Sequence, residues 1–176
     1  MSRAVFLDRD GVINRAPVRE KKPYPPSSMA ELEILPGVPQ ALKALRDAGF
    51  LLIVVTNQPD VARGTMSREV IEEMNIYLSH HLTIDEFYTC YHDGQDGCDC
   101  RKPKPGSLLA AAKKYNIDLG SSYMVGDRWR DVEAGRNAGC KTFFVDYGYD
   151  EKQPESVDYR VSSLLEASQI ILGELK

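Results

Sequence analysis

The sequence predicts an α/β protein whose sheet is mostly parallel and is covered by helices on both faces. Short apolar runs alternate with helical patterns along the 176 residues, as right-handed βαβ crossovers require. Residues 50–55 form one continuous aliphatic run, which is typical of a strand buried on both faces. Polar residues follow several of these runs directly, so we expect the functional site at the carboxyl ends of the strands.

The sequence pattern predicts five strands and five helices. The predicted strands cover residues 4–7, 50–55, 87–91, 123–125 and 142–145. Apolar residues at helical spacing predict helices over residues 38–48, 67–81, 105–115, 130–138 and 163–175. The elements alternate strictly until the last strand, which again favours a parallel sheet.

The ends of these elements carry typical signals. Ser67 is a favoured N-cap residue, and Gly49 and Gly139 follow helices where a left-handed backbone is common. Two stretches, residues 14–34 and 92–105, fit no element. Loops of this length in a compact domain are often functional.

Composition limits the classes of protein that need to be considered. A chain of 176 residues with 43% hydrophobic and 27% charged residues predicts a single folded domain over residues 1–176. The net charge of −4 disfavours nucleic acid as a partner. The longest apolar run, residues 50–55, is far short of the roughly 20 residues of a membrane span. We therefore expect a cytoplasmic protein, without a nucleic-acid or membrane partner, that acts as a monomer.

The first predicted strand ends in an Asp-x-Asp-Gly motif. Asp8 and Asp10 would stand together at the edge of the sheet, with Gly11 allowing the backbone to turn. Two adjacent carboxylates repel each other unless a cation lies between them. Mg²⁺ is suited to this position because it prefers carboxylate, water and phosphate oxygens. A solvated Asp-Gly turn is the alternative for the motif taken alone.

Further polar residues follow the later strands. Thr56 comes after the second strand, Lys102 after the third, and Asp127 and Asp131 after the fourth. Taken singly, each has an ordinary interpretation as a helix cap or a solvated charge. Their coincidence at successive strand ends favours a site for phosphoryl transfer, in which positioning and charge neutralisation are the main tasks. The role of Asp131 stays open.

A second group of residues has the composition of a metal site. Cys90, His92, Cys98 and Cys100 supply three thiols and an imidazole, which suits a closed tetrahedral zinc site of structural type. Zinc there would brace the loop that carries Lys102. Reduced surface thiols or a loop disulfide are the alternatives.

The order Asp-x-Asp-Gly, Thr, Lys and Gly-Asp-x-x-x-Asp resembles the four motifs of the haloacid dehalogenase superfamily over nearly the whole chain. The resemblance implies a three-layer Rossmann-like sandwich without a cap domain. It also implies that Asp8 is the nucleophile that forms an aspartyl-phosphate and that Asp10 is the general acid and base. Thr56 and Lys102 would stabilise the phosphoryl group, and Asp8, Asp10 and Asp127 would hold Mg²⁺.

The cysteine loop narrows the resemblance within that superfamily. Cys-x-His followed by Cys-x-Cys-Arg-Lys-Pro is similar to the small capless phosphatases that act on the 7-phosphate of heptose bisphosphate, and to the related histidinol-phosphate phosphatases. This likeness implies a small phosphorylated sugar as substrate, and it implies that Arg101 is a catalytic residue that contacts the phosphoryl group together with Lys102. It further implies substrate contacts from Ala16, Pro17, Val18, Arg19, Asn57, Gln58 and Arg128.

Two questions stay open on the sequence alone. The short spacer between His92 and Cys98 is more typical of the histidinol-phosphate branch, so histidinol phosphate is the alternative substrate. A phospho-accepting receiver domain also combines Asp, Thr and Lys around Mg²⁺ on a parallel sheet. In a receiver the phospho-accepting Asp lies on a middle strand, whereas here the pair Asp8 and Asp10 comes first.

Overall fold

A computed structural model describes residues 1–176 and contains one six-stranded sheet, one small hairpin and five helices. The strands are β1 (Arg3–Leu7), β2 (Val18–Arg19), β3 (Lys22–Pro23), β4 (Phe50–Asn57), β5 (Glu86–Cys90), β6 (Tyr123–Gly126), β7 (Lys141–Val145) and β8 (Tyr159–Val161). The helices are α1 (Val38–Asp47), α2 (Arg68–His81), α3 (Gly106–Tyr115), α4 (Trp129–Ala138) and α5 (Leu164–Glu174).

The large sheet is parallel throughout, as the sequence predicts. Its strand order is β5-β4-β1-β6-β7-β8, so β1 lies at the centre between β4 and β6. In register, Leu7 pairs with Val54 on one side and with Val125 on the other. The residues that follow these three positions therefore emerge together at one edge of the sheet, where the order of strands changes direction.

Helices cover both faces of the sheet. Alternate residues of β1 point to opposite faces: Val5 and Leu7 belong to the core formed with α1 and α5, whereas Ala4 and Phe6 belong to the core formed with α3 and α4. This alternation explains why β1 and β4 read as continuous apolar runs in the sequence. The predicted three-layer α/β architecture is confirmed.

Predicted helix ends also have the expected chemistry. The Ser67 hydroxyl accepts a hydrogen bond from the Val70 amide at 3.2 Å and so caps α2. Gly139 ends α4 with a φ of 93°, a conformation that is costly for residues with a Cβ atom. None of the helices combines the length and the apolar character that crossing a membrane would require.

Short elements account for the differences from the sequence prediction. Residues 14–34 contain the hairpin of β2 and β3 and a 3₁₀ turn over Met29–Glu31, although no element was predicted there. The sheet also has a sixth strand, β8, of three residues. Runs of two or three residues are too short to show a strand periodicity. Between Asp10 and Thr56 the structure holds only this hairpin, the turn, α1 and most of β4, with no cap domain.

Candidate active site

A cavity of about 420 Å³ opens at the carboxyl ends of the central strands. It is lined by most of the predicted site residues, namely Asp8, Asp10, Ala16, Asn57, Gln58, Arg101, Lys102, Asp127 and Arg128. Thr56 is buried and does not line the cavity, but its hydroxyl accepts a hydrogen bond from Gln58 Nε2 at 3.0 Å. The sheet thus brings together residues that are more than 100 positions apart in the chain.

Three carboxylates gather at the bottom of the cavity. Asp8, Asp127 and Asp131 are buried, and one oxygen from each lies within 4.8 Å of the others. Burial and the nearby Asp131 raise the pKa of Asp8 to about 6. Burial, together with Asp8 and Asp131, raises the pKa of Asp127 well above its usual range. Such crowding of negative charge is what a bound cation relieves.

The geometry around Asp127 agrees with a cation site. Its Oδ1 atom is buried and has no hydrogen-bond partner, so one ligand position is free. Two glycines make the close packing of the carboxylates feasible. A Cβ atom on Gly11 would lie 2.1 Å from Asp127 Oδ2, and one on Gly126 would lie 2.0 Å from the Cβ of Asp131. The set of hard oxygen donors fits Mg²⁺.

Lys102 supplies the positive charge of the cluster. Its Nζ lies 2.9 Å from Asp8 Oδ1 and 2.7 Å from Asp131 Oδ1, and it donates to the Val55 carbonyl at 2.6 Å. Burial lowers the pKa of Lys102, but Asp131 and Asp8 outweigh burial and raise it. The ammonium group therefore stays charged beside the predicted nucleophile. We call Asp8, Lys102, Asp127 and Asp131 the floor cluster.

Asp10 is held differently from the floor cluster. Its Oδ1 accepts hydrogen bonds from Arg9 Nε and Asn14 Nδ2, each at 3.0 Å, and its Oδ2 accepts one from Gln58 Nε2 at 2.9 Å. The group of three carboxylates that could hold a metal ion consists of Asp8, Asp127 and Asp131, and it does not include Asp10. The role of the Asp10 side chain as a Mg²⁺ ligand stays a prediction.

Sequence reasoning missed two tyrosines that support the site. The hydroxyl of Tyr149 donates to Asp127 Oδ2 at 2.7 Å, and that of Tyr147 donates to the Gly11 carbonyl at 2.7 Å. The two rings stack with centroids 5.5 Å apart. Both residues follow the carboxyl end of β7, and that position is the one signal that could have identified them.

The edge of the cavity carries arginines in two different states. Arg128 pairs with Glu151, with Nη2 and Oε1 2.6 Å apart. Arg101 and Arg130 form no ion pair in the structure. Burial lowers the pKa of Arg101, and repulsion from the charge of Arg130 lowers it further. Burial also lowers the pKa of Arg130, with a smaller contribution from the charge of Arg128. We call Arg101 and Arg130 the rim pair.

The hairpin contributes to the cavity, although not through all the predicted residues. Ala16 lines the cavity, together with residues 22–25 of the hairpin and its exit. Pro17, Val18 and Arg19 do not line it: Val18 is 54% exposed, and Arg19 lies over the ring of Tyr24 at 4.6 Å. Substrate contacts from Pro17 to Arg19 stay a prediction.

The four predicted zinc ligands also come together. One ligand atom from each of Cys90, His92, Cys98 and Cys100 lies within 4.8 Å of the others. The Cys90 sulfur is 3.7 Å from that of Cys98, and His92 Nδ1 is 3.6 Å from Cys90 and 3.3 Å from Cys100. A tetrahedral site with zinc–sulfur bonds of about 2.3 Å has edges of about 3.8 Å. Cys90 and Cys100 are joined as a disulfide in this structure.

Residues 20–139 match the family model of the haloacid dehalogenase-like hydrolases, so the chain belongs to this family. The prediction of a phosphatase of this superfamily is confirmed by the family and by its relatives.

Two similar proteins have the same activity in their names. The chain is 34% identical to the D-glycero-beta-D-manno-heptose-1,7-bisphosphate 7-phosphatase of Pasteurella multocida, with 98% of each chain covered. It is 38% identical to the enzyme of the same name from Haemophilus ducreyi, with 80% of each chain covered. A crystal structure of D,D-heptose 1,7-bisphosphate phosphatase from B. bronchiseptica, complexed with magnesium and phosphate, aligns with a TM-score of 0.82 and 30% identity. That alignment covers 98% of this chain and 99% of the other.

Proposed function

We propose that the protein removes the 7-phosphate of D-glycero-D-manno-heptose 1,7-bisphosphate in a Mg²⁺-dependent reaction. The observation that carries this proposal is the floor cluster: a buried Asp8 that contacts a charged Lys102 beside a group of acidic residues suited to a cation. The relative from Pasteurella multocida matches 98% of the chain, and its name supports this particular sugar.

The reaction proceeds in two displacements. An Asp8 carboxylate oxygen attacks phosphorus, and the bond between phosphorus and the sugar oxygen breaks as Asp10 donates a proton to that oxygen. Water then attacks the phosphorus of the aspartyl-phosphate while Asp10 accepts its proton. Inorganic phosphate leaves, and Asp8 is regenerated.

The other residues stabilise and position the reacting groups. Lys102 and the hydroxyl of Thr56 balance charge on the phosphoryl oxygens. Asp8 and Asp127 would hold Mg²⁺, together with Asp10 as the resemblance implies or with Asp131 as the carboxylate cluster suggests. When bound, Mg²⁺ supplies additional positive charge for the phosphoryl oxygens.

Kinetics on a panel of phosphomonoesters test the proposed substrate. We expect the highest kcat/KM for the heptose bisphosphate, measured for both anomers, followed by simple sugar phosphates and histidinol phosphate. A preference for histidinol phosphate of about tenfold or more, equal to about 1.4 kcal/mol of transition-state discrimination, would contradict the choice of substrate. A phosphorylated protein that never released phosphate would instead favour a receiver-like role.

We also propose that the cysteine loop binds zinc in the reduced protein. Three observed distances between the ligand atoms, 3.3, 3.6 and 3.7 Å, are close to those of a tetrahedral site. Metal analysis of protein purified under reducing conditions should give one zinc per chain. An active protein without zinc, with all four thiols titratable, would contradict this site. Loss of thiols at positions 90 and 100 alone would favour the disulfide.

We further propose that residues 1–176 act as one domain, that the protein is a monomer, and that it works in the cytoplasm. The proposed zinc site supports a reducing compartment, because thiolate metal sites persist there. Light scattering coupled to size-exclusion chromatography should give a mass near 19.7 kDa. A mass of twice this value would contradict the monomer.

A further inference from the structure

The rim pair differs from the other arginines that line the cavity, Arg63 and Arg128, in having no carboxylate partner. Arg101 and Arg130 both line the cavity but form no ion pair, whereas Arg128 at the same edge is neutralised by Glu151 at 2.6 Å. Arg63, also at this edge, contacts Asp93 through two nitrogens at 2.8 and 2.9 Å. The cavity edge therefore carries two guanidinium charges that the protein itself does not balance.

The floor cluster explains how the two arginines come to lie at the same edge. Lys102 and Asp131 form an ion pair of 2.7 Å between the loop after β5 and the first turn of α4. Arg101 directly precedes Lys102, and Arg130 directly precedes Asp131. The inner pair thus joins the two backbones side by side, and each backbone presents an arginine to the same cavity.

Both side chains are held in place without being neutralised. Arg101 Nη1 donates to the His92 carbonyl at 3.4 Å. The Arg130 guanidinium lies 4.6 Å from the centre of the Trp129 ring. Neither contact removes a charge, and both side chains are partly withdrawn from water. Partly desolvated cations that repel each other are stabilised by an anion placed between them.

We propose that Arg130, together with Arg101, binds the phosphate group of the substrate that is not hydrolysed. The inference rests on the proposed function, because the floor cluster is assumed to hold the phosphate that is removed. The planar guanidinium group suits a phosphate because it can donate two parallel hydrogen bonds. Arg130 is accordingly a specificity residue that selects bisphosphates over monophosphates with the same leaving group.

The test compares Arg130→Gln with the wild type on matched substrates. The readout is the ratio of kcat/KM for heptose 1,7-bisphosphate to kcat/KM for heptose 7-phosphate. We expect Arg130→Gln to lower this ratio about tenfold or more, mainly through KM, since charged hydrogen bonds are lost. Arg130→Lys should restore part of it. Arg136→Gln, at the other end of the same helix and outside the cavity, is the control and should keep the ratio.

The opposite result overturns the inference. A ratio in Arg130→Gln equal to that of the wild type, in a protein with an unchanged thermal unfolding temperature, would show that Arg130 does not bind the second phosphate. If Arg130→Gln fails to fold, Arg130→Met takes its place, because an unbranched apolar side chain of similar length can still lie against the Trp129 ring. A ratio in Arg130→Met equal to that of the wild type overturns the inference, and a reduced ratio supports it.

A second pair of substrates separates this inference from the proposed function. A hexose bisphosphate and the corresponding hexose 6-phosphate are measured with the same variants. If heptose substrates fail with the wild type but Arg130→Gln still loses the preference for the hexose bisphosphate, the proposed substrate is wrong and the second phosphate site stands. If the wild type shows no preference for the bisphosphate in either pair, the inference is wrong.

Discussion

The floor cluster and the rim pair contain the same kinds of charged groups in opposite states. Lys102 at the floor is fully buried and contacts two carboxylates, at 2.9 and 2.7 Å. Its neighbour Arg101 is only half-buried and has no carboxylate partner. One residue along the chain therefore separates a charge satisfied by the protein from a charge left for a ligand.

The difference indicates how chemistry and specificity are divided. Charges at the floor are fixed in place by burial and mutual pairing, as preorganised stabilisation of a phosphoryl group requires. Charges at the rim are held by weaker contacts and depend on the bound molecule for their balance. Substitutions at the floor should thus affect turnover of every substrate, whereas those at the rim should affect the choice among substrates.

The largest expected effect is that of Asp8→Asn at the floor. The amide cannot attack phosphorus, so kcat should fall by about 10⁴-fold or more for all substrates. The fold should be retained, because the substitution is isosteric and removes one of several crowded negative charges. Steady-state kinetics and circular dichroism check both parts. Substantial residual turnover in a folded protein would rule out Asp8 as the nucleophile.

Lys102→Met should come next, with effects on both activity and stability. The change leaves Asp8 and Asp131 without their shared cation, so we expect a loss of about 3 kcal/mol in the free energy of unfolding. Turnover should fall by about 10² to 10³-fold. Chemical denaturation measures the change in the free energy of unfolding, and steady-state kinetics measure the change in turnover. Lys113→Met, at an exposed position of α3 without a carboxylate partner, should change neither.

Tyr149→Phe tests the support of the floor from the loop after β7. Loss of the hydrogen bond to Asp127 Oδ2 should raise the Mg²⁺ concentration needed for half-maximal activity by about tenfold. Tyr147→Phe breaks a bond to the main chain of Gly11 and serves as the comparison; its Mg²⁺ requirement should change less. Equal shifts in the two variants would show that the hydrogen bond from Tyr149 to Asp127 has no specific role in metal binding.

The smallest expected effect is a pH dependence of stability without metal. The pKa of Asp8 is raised from 3.8 to about 6 in the folded protein. The contribution of Asp8 to the free energy of unfolding is therefore fully present below about pH 3.8 and is lost as the pH rises through about 6. Added Mg²⁺ should therefore raise the unfolding temperature more at pH 7.5 than at pH 5. Asp8→Asn should weaken this difference. Equal stabilisation at both pH values would show that the carboxylates are not the metal ligands.

The parts of the site that the sequence predicted are those controlled by the parallel sheet. Asp8 and Asp127 directly follow β1 and β6, and the register of those strands places them together. Lys102 lies twelve residues beyond the end of β5, and it was predicted from the Arg-Lys-Pro motif in the loop that follows this strand. Short-range pattern and one rule of topology were sufficient for these residues.

The remaining features depend on contacts between distant segments. The tyrosines of residues 146–158 reach the site through a loop that has no periodicity. The orientation of Asp10 depends on hydrogen bonds from Arg9 and Asn14, which no spacing rule specifies. The unpaired state of Arg130 is likewise a property of the folded molecule. Sequence reasoning could therefore locate the floor of the cavity and several residues around it, but it could not tell which charges at the edge are paired.

The central claim is that phosphate is transferred to Asp8, and chemical trapping tests it most directly. Enzyme mixed with substrate is quenched in acid and treated with borohydride, which reduces an aspartyl-phosphate to homoserine. Peptide mass spectrometry should then find homoserine at position 8 in the wild type and not in Asp8→Asn. Homoserine at another aspartate, or none during rapid turnover, would contradict the account.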